Sequence, residues 1–366
     1  MRYLVIIFSI IFIFSISSCN HKDSKDKKNQ EKQLENIPTS IGGIYELFVV
    51  GENLTSNPEL KIKISESISQ IIPALPQPEQ MFSLTFIDVN NFNANFRKNI
   101  NVLLLSVLPK DKQMQNLIGN ITTKENINFI KIKNVWSEPQ KVISVSGNTE
   151  EALISELQKR KVEIFNSFDK TSKIKLRNLI YKKNEHSKFT KRLSENHNFK
   201  FLVPKNYFFV LEAFPGNRDT ILEKYNLNSL AWMRSESEKS NNNIIIYSVD
   251  YDKKLLESEK EIFKLKSKVS KIVTSKNKDS YMSIDTIHYD YYFQKNKLNN
   301  LEAFELKGIW QMENDWMGGP FINYIIPDKK NNRIIFIEAF IYAAGTQKRN
   351  FVKRLEVILE TFSLGS

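Results

Sequence analysis

Two tryptophans and two acids crowd one short stretch, GIWQMENDWMGGPF at residues 308–321: Trp310, Glu313, Asp315 and Trp316. An indole offers a broad apolar face with a polar N–H at its edge, which suits stacking on the C–H bonds of a sugar while nearby acids hold its hydroxyls. Two acids can also hydrolyse a glycosidic bond, provided their carboxyl groups stand about 5–9 Å apart. Arg234, Glu236 and Tyr281 join the group as candidate ligand-binding residues. A structural role competes with both readings, because Trp310 alternates as a core residue does and Asn314 and Asp315 are ordinary turn residues. On this pattern no residue is assigned a catalytic role.

Other chemistries find little footing. The single cysteine, Cys19, leaves no thiol pair for a disulfide or a zinc site. The four histidines, His21, His186, His197 and His288, are scattered without HxxxH or HExxH spacing, so no metal and no cofactor is expected. There is no GxSxG elbow, no GxGxxG turn and no Walker loop.

The elements that must position the candidate group are legible around it. Residues 304–312 alternate large apolar with polar side chains, and runs at 321–326 and 333–342 flank PDKKNN, a sequence suited to a hairpin loop. Three strands follow. Gly318 and Gly319 are expected to supply positive φ between the first two, with Pro320 at a strand start. The last run is apolar on both faces, so it belongs in mid-sheet, covered on both sides. Glu338 interrupts it, and a carboxylate there needs a partner; Arg234 and Lys307 are the expected ones.

The preceding body divides at a helical stretch. Strands are expected at 44–50, 82–89 and 100–108, a short helix at 65–72, and a strand at 140–147. Residues 148–198 contain neither Pro nor Gly and carry an apolar stripe at helical spacing. One unbroken helix there would reach on the order of 70 Å, so a break is expected near 169–173. Beyond it come strands at 203–213, 230–236 and 243–251, a helix at 255–273, a long aromatic strand at 280–293, and a final helix after Gly345. The expected fold is α+β, with antiparallel sheets packed against helices in two halves, 37–147 and 199–366, joined by a helical bridge at 148–198. A weak repeat links the halves: apolar residues coincide six, seven and ten positions after Gly147 and Gly345.

The start of the chain reads as an address. One Arg precedes an apolar run and small residues over 1–18, the pattern of a secretory signal. Ile16, Ser17, Ser18 and Cys19 resemble a bacterial lipobox, which implies cleavage before Cys19 and lipidation of that residue. Residues 19–36 then form a polar tether whose charges nearly cancel, leaving most of the +12 formal charge in the body. Two readings of that charge stay open: contact with anionic headgroups or acidic glycans, and scattered surface lysines that only keep a Lys- and Asn-rich chain in solution. An exported chain is not expected to meet nucleic acid.

Several blocks together resemble a family of Bacteroidota lipoproteins classed as a domain of unknown function: IYELFVVG, IPALPQPEQMF, WSEPQKVISVSG, WMRSE, SYMSID and, above all, GIWQMENDWMGGPFINY with FIYAAGTQKRNFVKRLEVIL. The resemblance implies a shared fold and a lipid-anchored place in the cell envelope, at the outer membrane on its periplasmic or outer face. It carries no catalytic residues. Two roles stay open: a non-enzymatic protein that binds an envelope protein or glycan, and a glycan-active hydrolase using Glu313 or Asp315.

Overall fold

The computed structural model describes residues 37–122, 128–182, 185–217 and 220–365. The signal segment, Cys19 and the tether lie outside the described residues.

The first half contains β1 (Glu46–Gly51), α1 (Pro58–Ser67), β2 (Ser83–Asp88), α2 (Ala94–Arg97), β3 (Asn101–Val107), α3 (Lys112–Gly119), β4 (Phe129–Lys133) and β5 (Lys141–Gly147). Helix α1 starts earlier than expected because Asn57 accepts from Leu60 N at 3.1 Å as its cap and Pro58 fits the first turn. The strands lie in the order β2-β1-β3-β5-β4. Here the pairing differs from the antiparallel expectation: β1 runs parallel to β2 and β3, β3 parallel to β5, and β4 alone is antiparallel. β3 and β5 are buried along their whole length, as parallel strands covered on both faces are.

The helical stretch is α4 (Glu150–Tyr181), a single rod about 48 Å long. Thr149 caps it, with Glu150 and Glu151 in the first turn. The break expected near 169–173 does not occur; the helix ends at Tyr181. That turn is in fact tightly held. Ser172 Oγ donates to Ile44 O at 2.7 Å and accepts from Asn101 Nδ2 at 3.0 Å.

The second half follows as α5 (Ser187–His197), β6 (Phe199–Lys200), β7 (Phe208–Ala213), α6 (Thr220–Tyr225), β8 (Ser229–Ser237), β9 (Ser240–Asp250), α7 (Lys253–Glu257), α8 (Glu259–Ser270), β10 (Tyr281–Asp285), β11 (Tyr292–Leu298), β12 (Leu301–Glu313), β13 (Gly318–Asp328), β14 (Arg333–Tyr342), α9 (Arg349–Leu359) and β15 (Ser363–Leu364). Eight of the strands build an antiparallel sheet in the order β10-β12-β13-β14-β9-β8-β7, with β11 also on β12. The expected helix 255–273 is split at Ser258, which caps α8. The expected aromatic strand 280–293 is split where Asp285 turns the chain by accepting from Ile287 N and His288 N. The halves differ in strand order and direction, so the apolar offsets after Gly147 and Gly345 do not mark a common topology.

Strand β14 lies mid-sheet, and its two faces serve different cores. Ile335, Ile337, Ala339 and Ile341 share one core with α4, α9 and the inner face of the first sheet. Ile334, Phe336 and Phe340 share another with Ile262 and Val269 of α8. From one side to the other, the body therefore stacks α3, first sheet, α4 with α9, second sheet, α8. Among the described residues no helix is long and apolar enough to cross a membrane.

Candidate functional site: an aromatic cleft at the β12–β13 turn

The turn is built from its own polar atoms. Met312 N donates to Met317 O at 2.8 Å, and Trp316 N donates to Asp315 Oδ1 at 2.7 Å. Asn314, not a glycine, takes the left-handed conformation, at φ +60°. Gly318 and Gly319 are extended instead, and are small because of crowding. A Cβ on Gly318 would lie 2.9 Å from the Trp310 carbonyl oxygen, and one on Gly319 would overlap the Ile341 carbonyl oxygen. The turn is tied to the segment after α8 by Asn314 Nδ2 to Asp279 O at 3.1 Å and Asn277 Nδ2 to Asn314 O at 3.2 Å.

Beside this turn, on the α8 side of the sheet, lies a cleft of about 530 Å³. Trp310, Met312 and Phe340 give it an apolar floor; Arg234, Asn243 and Asp315 give it polar walls. Trp310 is 1% exposed and its Nε1 donates to Ile341 O at 3.1 Å, so its orientation is fixed. Arg234 is held by Nε to Asn243 Oδ1 at 2.9 Å and Nη1 to Glu236 Oε1 at 3.2 Å, over the Trp232 ring. Trp316, between the cleft residues Asp315 and Met317, is 100% exposed. Such an arrangement can stack an apolar face and hydrogen-bond hydroxyls or a carbonyl.

The predicted group is thus partly assembled. Arg234, Trp310 and Asp315 meet at the cleft, Trp316 follows Asp315 in the turn, wholly exposed and not part of the lining, and Glu236 anchors Arg234. Glu313 is turned away. Strand parity sends Met312 to the cleft face and Glu313 to the other, where it accepts from Ser283 Oγ at 2.5 Å and Gln311 Nε2 at 3.2 Å. Tyr281, in register with Glu313, shares that face, with Lys271 over its ring. Glu313 and Asp315 therefore do not form a facing pair. Among the described residues no three His, Cys, Asp or Glu side chains gather as a metal site would need.

Glu338 has a different partner from either expected one. Lys266 of α8 meets it at 3.1 Å, and Asn323 Nδ2 donates to its other oxygen at 3.3 Å. Lys307 lies on the opposite face of the sheet, bound to Glu305 and Glu356, and Arg234 is committed to Asn243 and Glu236. Lys266 is fully buried, with Phe321 under its ammonium at 4.0 Å. Burial pushes its pKa down, with Glu338 opposing that fall.

Residues 185–361 match the family model described as Domain of unknown function (DUF4837), and residues 40–180 match Domain of unknown function (DUF8532). The chain carries two domains of unknown function. No curated protein matches it. The DUF4837 region holds the large sheet and the cleft; the DUF8532 region holds the first sheet and α4.

The two matched regions are joined by a network of buried and half-buried charges that the sequence patterns do not reveal. From the DUF8532 region, Lys173 reaches Glu360 at 2.5 Å and Glu356 at 3.8 Å, while Asp169 meets Lys353 at 3.2 Å. Within the DUF4837 region, Glu356 also meets Lys353 at 3.0 Å and Lys307 at 3.5 Å, and Lys307 meets Glu305 at 2.9 Å. Burial alone would raise the Glu356 carboxyl, but Lys353, Lys307 and Lys173 outweigh it and bring the pKa down to about 2. Three lysines on separate elements, each like a surface lysine in its sequence context, give no sign of this.

Proposed function

We propose that the chain is a lipid-anchored protein of the cell envelope whose body binds a glycan without transforming it. The lipobox-like sequence ending at Cys19 supports the anchor. One observation carries the binding reading: Trp316, wholly exposed, sits in the chain between Asp315 and Met317 of a cleft with an aromatic floor and Arg234, Asn243 and Asp315 in its walls. A folded chain rarely leaves an indole in water, and a large exposed aromatic beside fixed polar groups is the composition of a recognition surface. Hydrolysis would need two facing carboxyl groups, whereas Glu313 is directed to the other side of the sheet.

The test is retention of the full chain on a panel of immobilised envelope oligosaccharides, with Trp316→Ala and Arg234→Met in parallel. Wild type should be retained, both folded variants released, and the bound oligosaccharide recovered uncleaved. Equal retention of wild type and variants, or cleavage of the ligand, would reject the reading.

A further inference from the structure

A second cleft, in the other half of the molecule, has the opposite character. It is about 670 Å³ in volume and lies between β4, the start of β5 and α4. Lys131, Lys133, Lys141 and Lys170 line it, with Glu138 the acidic residue among its walls. Lys133 and Lys141 sit directly opposite each other in the β4–β5 register, and like charges so placed repel. Lys131, two residues along the same face, is neutralised by Glu163 at 2.5 Å. Glu138 accepts from Asn134 Nδ2 at 2.9 Å.

Lys141 makes the site more than a basic surface. The residue is only 7% exposed, it lines the cleft, and its ammonium has no hydrogen-bond or salt-bridge partner among the described residues. Lys133 and Lys170 likewise have none among them. Its stem is buried while its ammonium opens into the cleft beside like charges, with no acid paired to it among the described residues, and a bound anion would relieve that repulsion. Burial and then Lys133, Lys131 and Lys170 hold its pKa below the ordinary lysine value.

We propose that this cleft is an anion site that takes a phosphate-bearing ligand through Lys133, Lys141 and Lys170. Three ammonium groups unpaired among the described residues match a phosphomonoester, which carries about −1.5 to −2 charges near neutral pH and presents three acceptor oxygens. Lysines serve such a group as point charges that need no fixed fork geometry. The cleft is larger than a lone phosphate requires, so it has room for the group that the phosphate is attached to.

The test uses the full chain in a non-ionic detergent and three soluble probes: inorganic phosphate, dihexanoyl phosphatidic acid and dihexanoyl phosphatidylcholine. Calorimetry should show binding of phosphate, phosphatidic acid or both, and none of phosphatidylcholine. Phosphate bound as tightly as phosphatidic acid would indicate a free phosphate or phosphate ester; preference for phosphatidic acid would indicate a lipid headgroup. Lys141→Met should weaken binding roughly tenfold or more, whereas Lys253→Gln, an exposed lysine elsewhere, should not. If Lys141→Met does not fold, Lys170→Gln serves in its place, since it changes a side chain on the helix surface. No binding of either phosphate compound by wild type, or equal binding by the folded lysine variants, would overturn the proposal.

Discussion

Trp310 and Trp316 lie on the same β12–β13 hairpin in opposite environments: Trp310 is sealed under Phe340 with its indole N–H on the Ile341 carbonyl, and Trp316 stands wholly in water. One builds the cleft floor and the other offers a free face in the turn beside it. Their substitutions should separate cleanly. Trp310→Ala should cost about 3–5 kcal/mol of stability by opening a cavity and stranding a carbonyl. Trp316→Ala should change stability by less than about 0.5 kcal/mol while abolishing ligand retention. Urea denaturation alongside the binding assay checks both.

The Lys266–Glu338 pair is expected to obey the asymmetry of buried charges. Lys266→Met alone leaves a carboxylate enclosed between β14 and α8, and should cost roughly 3–5 kcal/mol. Adding Glu338→Leu should recover most of that loss, because two apolar side chains of similar size can replace a buried pair nearly without cost. The urea midpoints of the two single variants and the double variant decide the matter.

Acid should loosen the joint between the two matched regions. The Glu356 pKa is lowered from 4.5 to about 2 in the folded chain. Its contribution is therefore complete above pH 4.5, falls as pH drops, and is gone below about pH 2; it amounts to roughly 3 kcal/mol. Lys173 shifts the other way, upward, so its share is kept below pH 10.5 and lost only as pH rises through its folded value. Thermal melts between pH 2 and 7 should show a steep acid decline for wild type. Glu356→Gln should be less stable at pH 7 and show a shallower decline.

Two glycines should respond oppositely to alanine. At Gly319 an added Cβ meets the Ile341 carbonyl oxygen between strands, so Gly319→Ala should destabilise by more than about 1 kcal/mol or force β13 and β14 apart. At Gly119, the last residue of α3, nothing lies within 4 Å of the added Cβ, and Gly119→Ala should stabilise by about 0.4–1 kcal/mol. Melting temperatures of the two variants, measured side by side, test the contrast.

The fold was legible where side-chain alternation is strict. Strands β12, β13 and β14, the mid-sheet position of β14 and the need of Glu338 for a partner all follow from period-two patterning. Its partner did not, because a lysine sealed under α8 looks in sequence like any lysine on a helix. The parallel pairing of β1, β2, β3 and β5 is not legible in short apolar runs, which read alike in either direction; a parallel crossover needs only chain length and a cover for both faces. At the site, Arg234, Trp310 and Asp315 lie around one cleft, while strand parity turns Glu313 away because β12 runs on to that residue. Strand β4 is short and carries two lysines, so it was not read as a strand at all, and the Lys133–Lys141 juxtaposition was hidden with it.

The most direct measurement is a titration of the full chain, labelled with ¹⁵N at its four tryptophan indoles, with an oligosaccharide retained in the panel. Trp316 in the turn beside the cleft, Trp310 in its floor and Trp232 under Arg234 of its wall should shift together and saturably, while Trp136, in the first half, should not move. A shift confined to Trp136, or saturable binding that leaves the Trp316 signal unchanged, would contradict a glycan site at the β12–β13 turn.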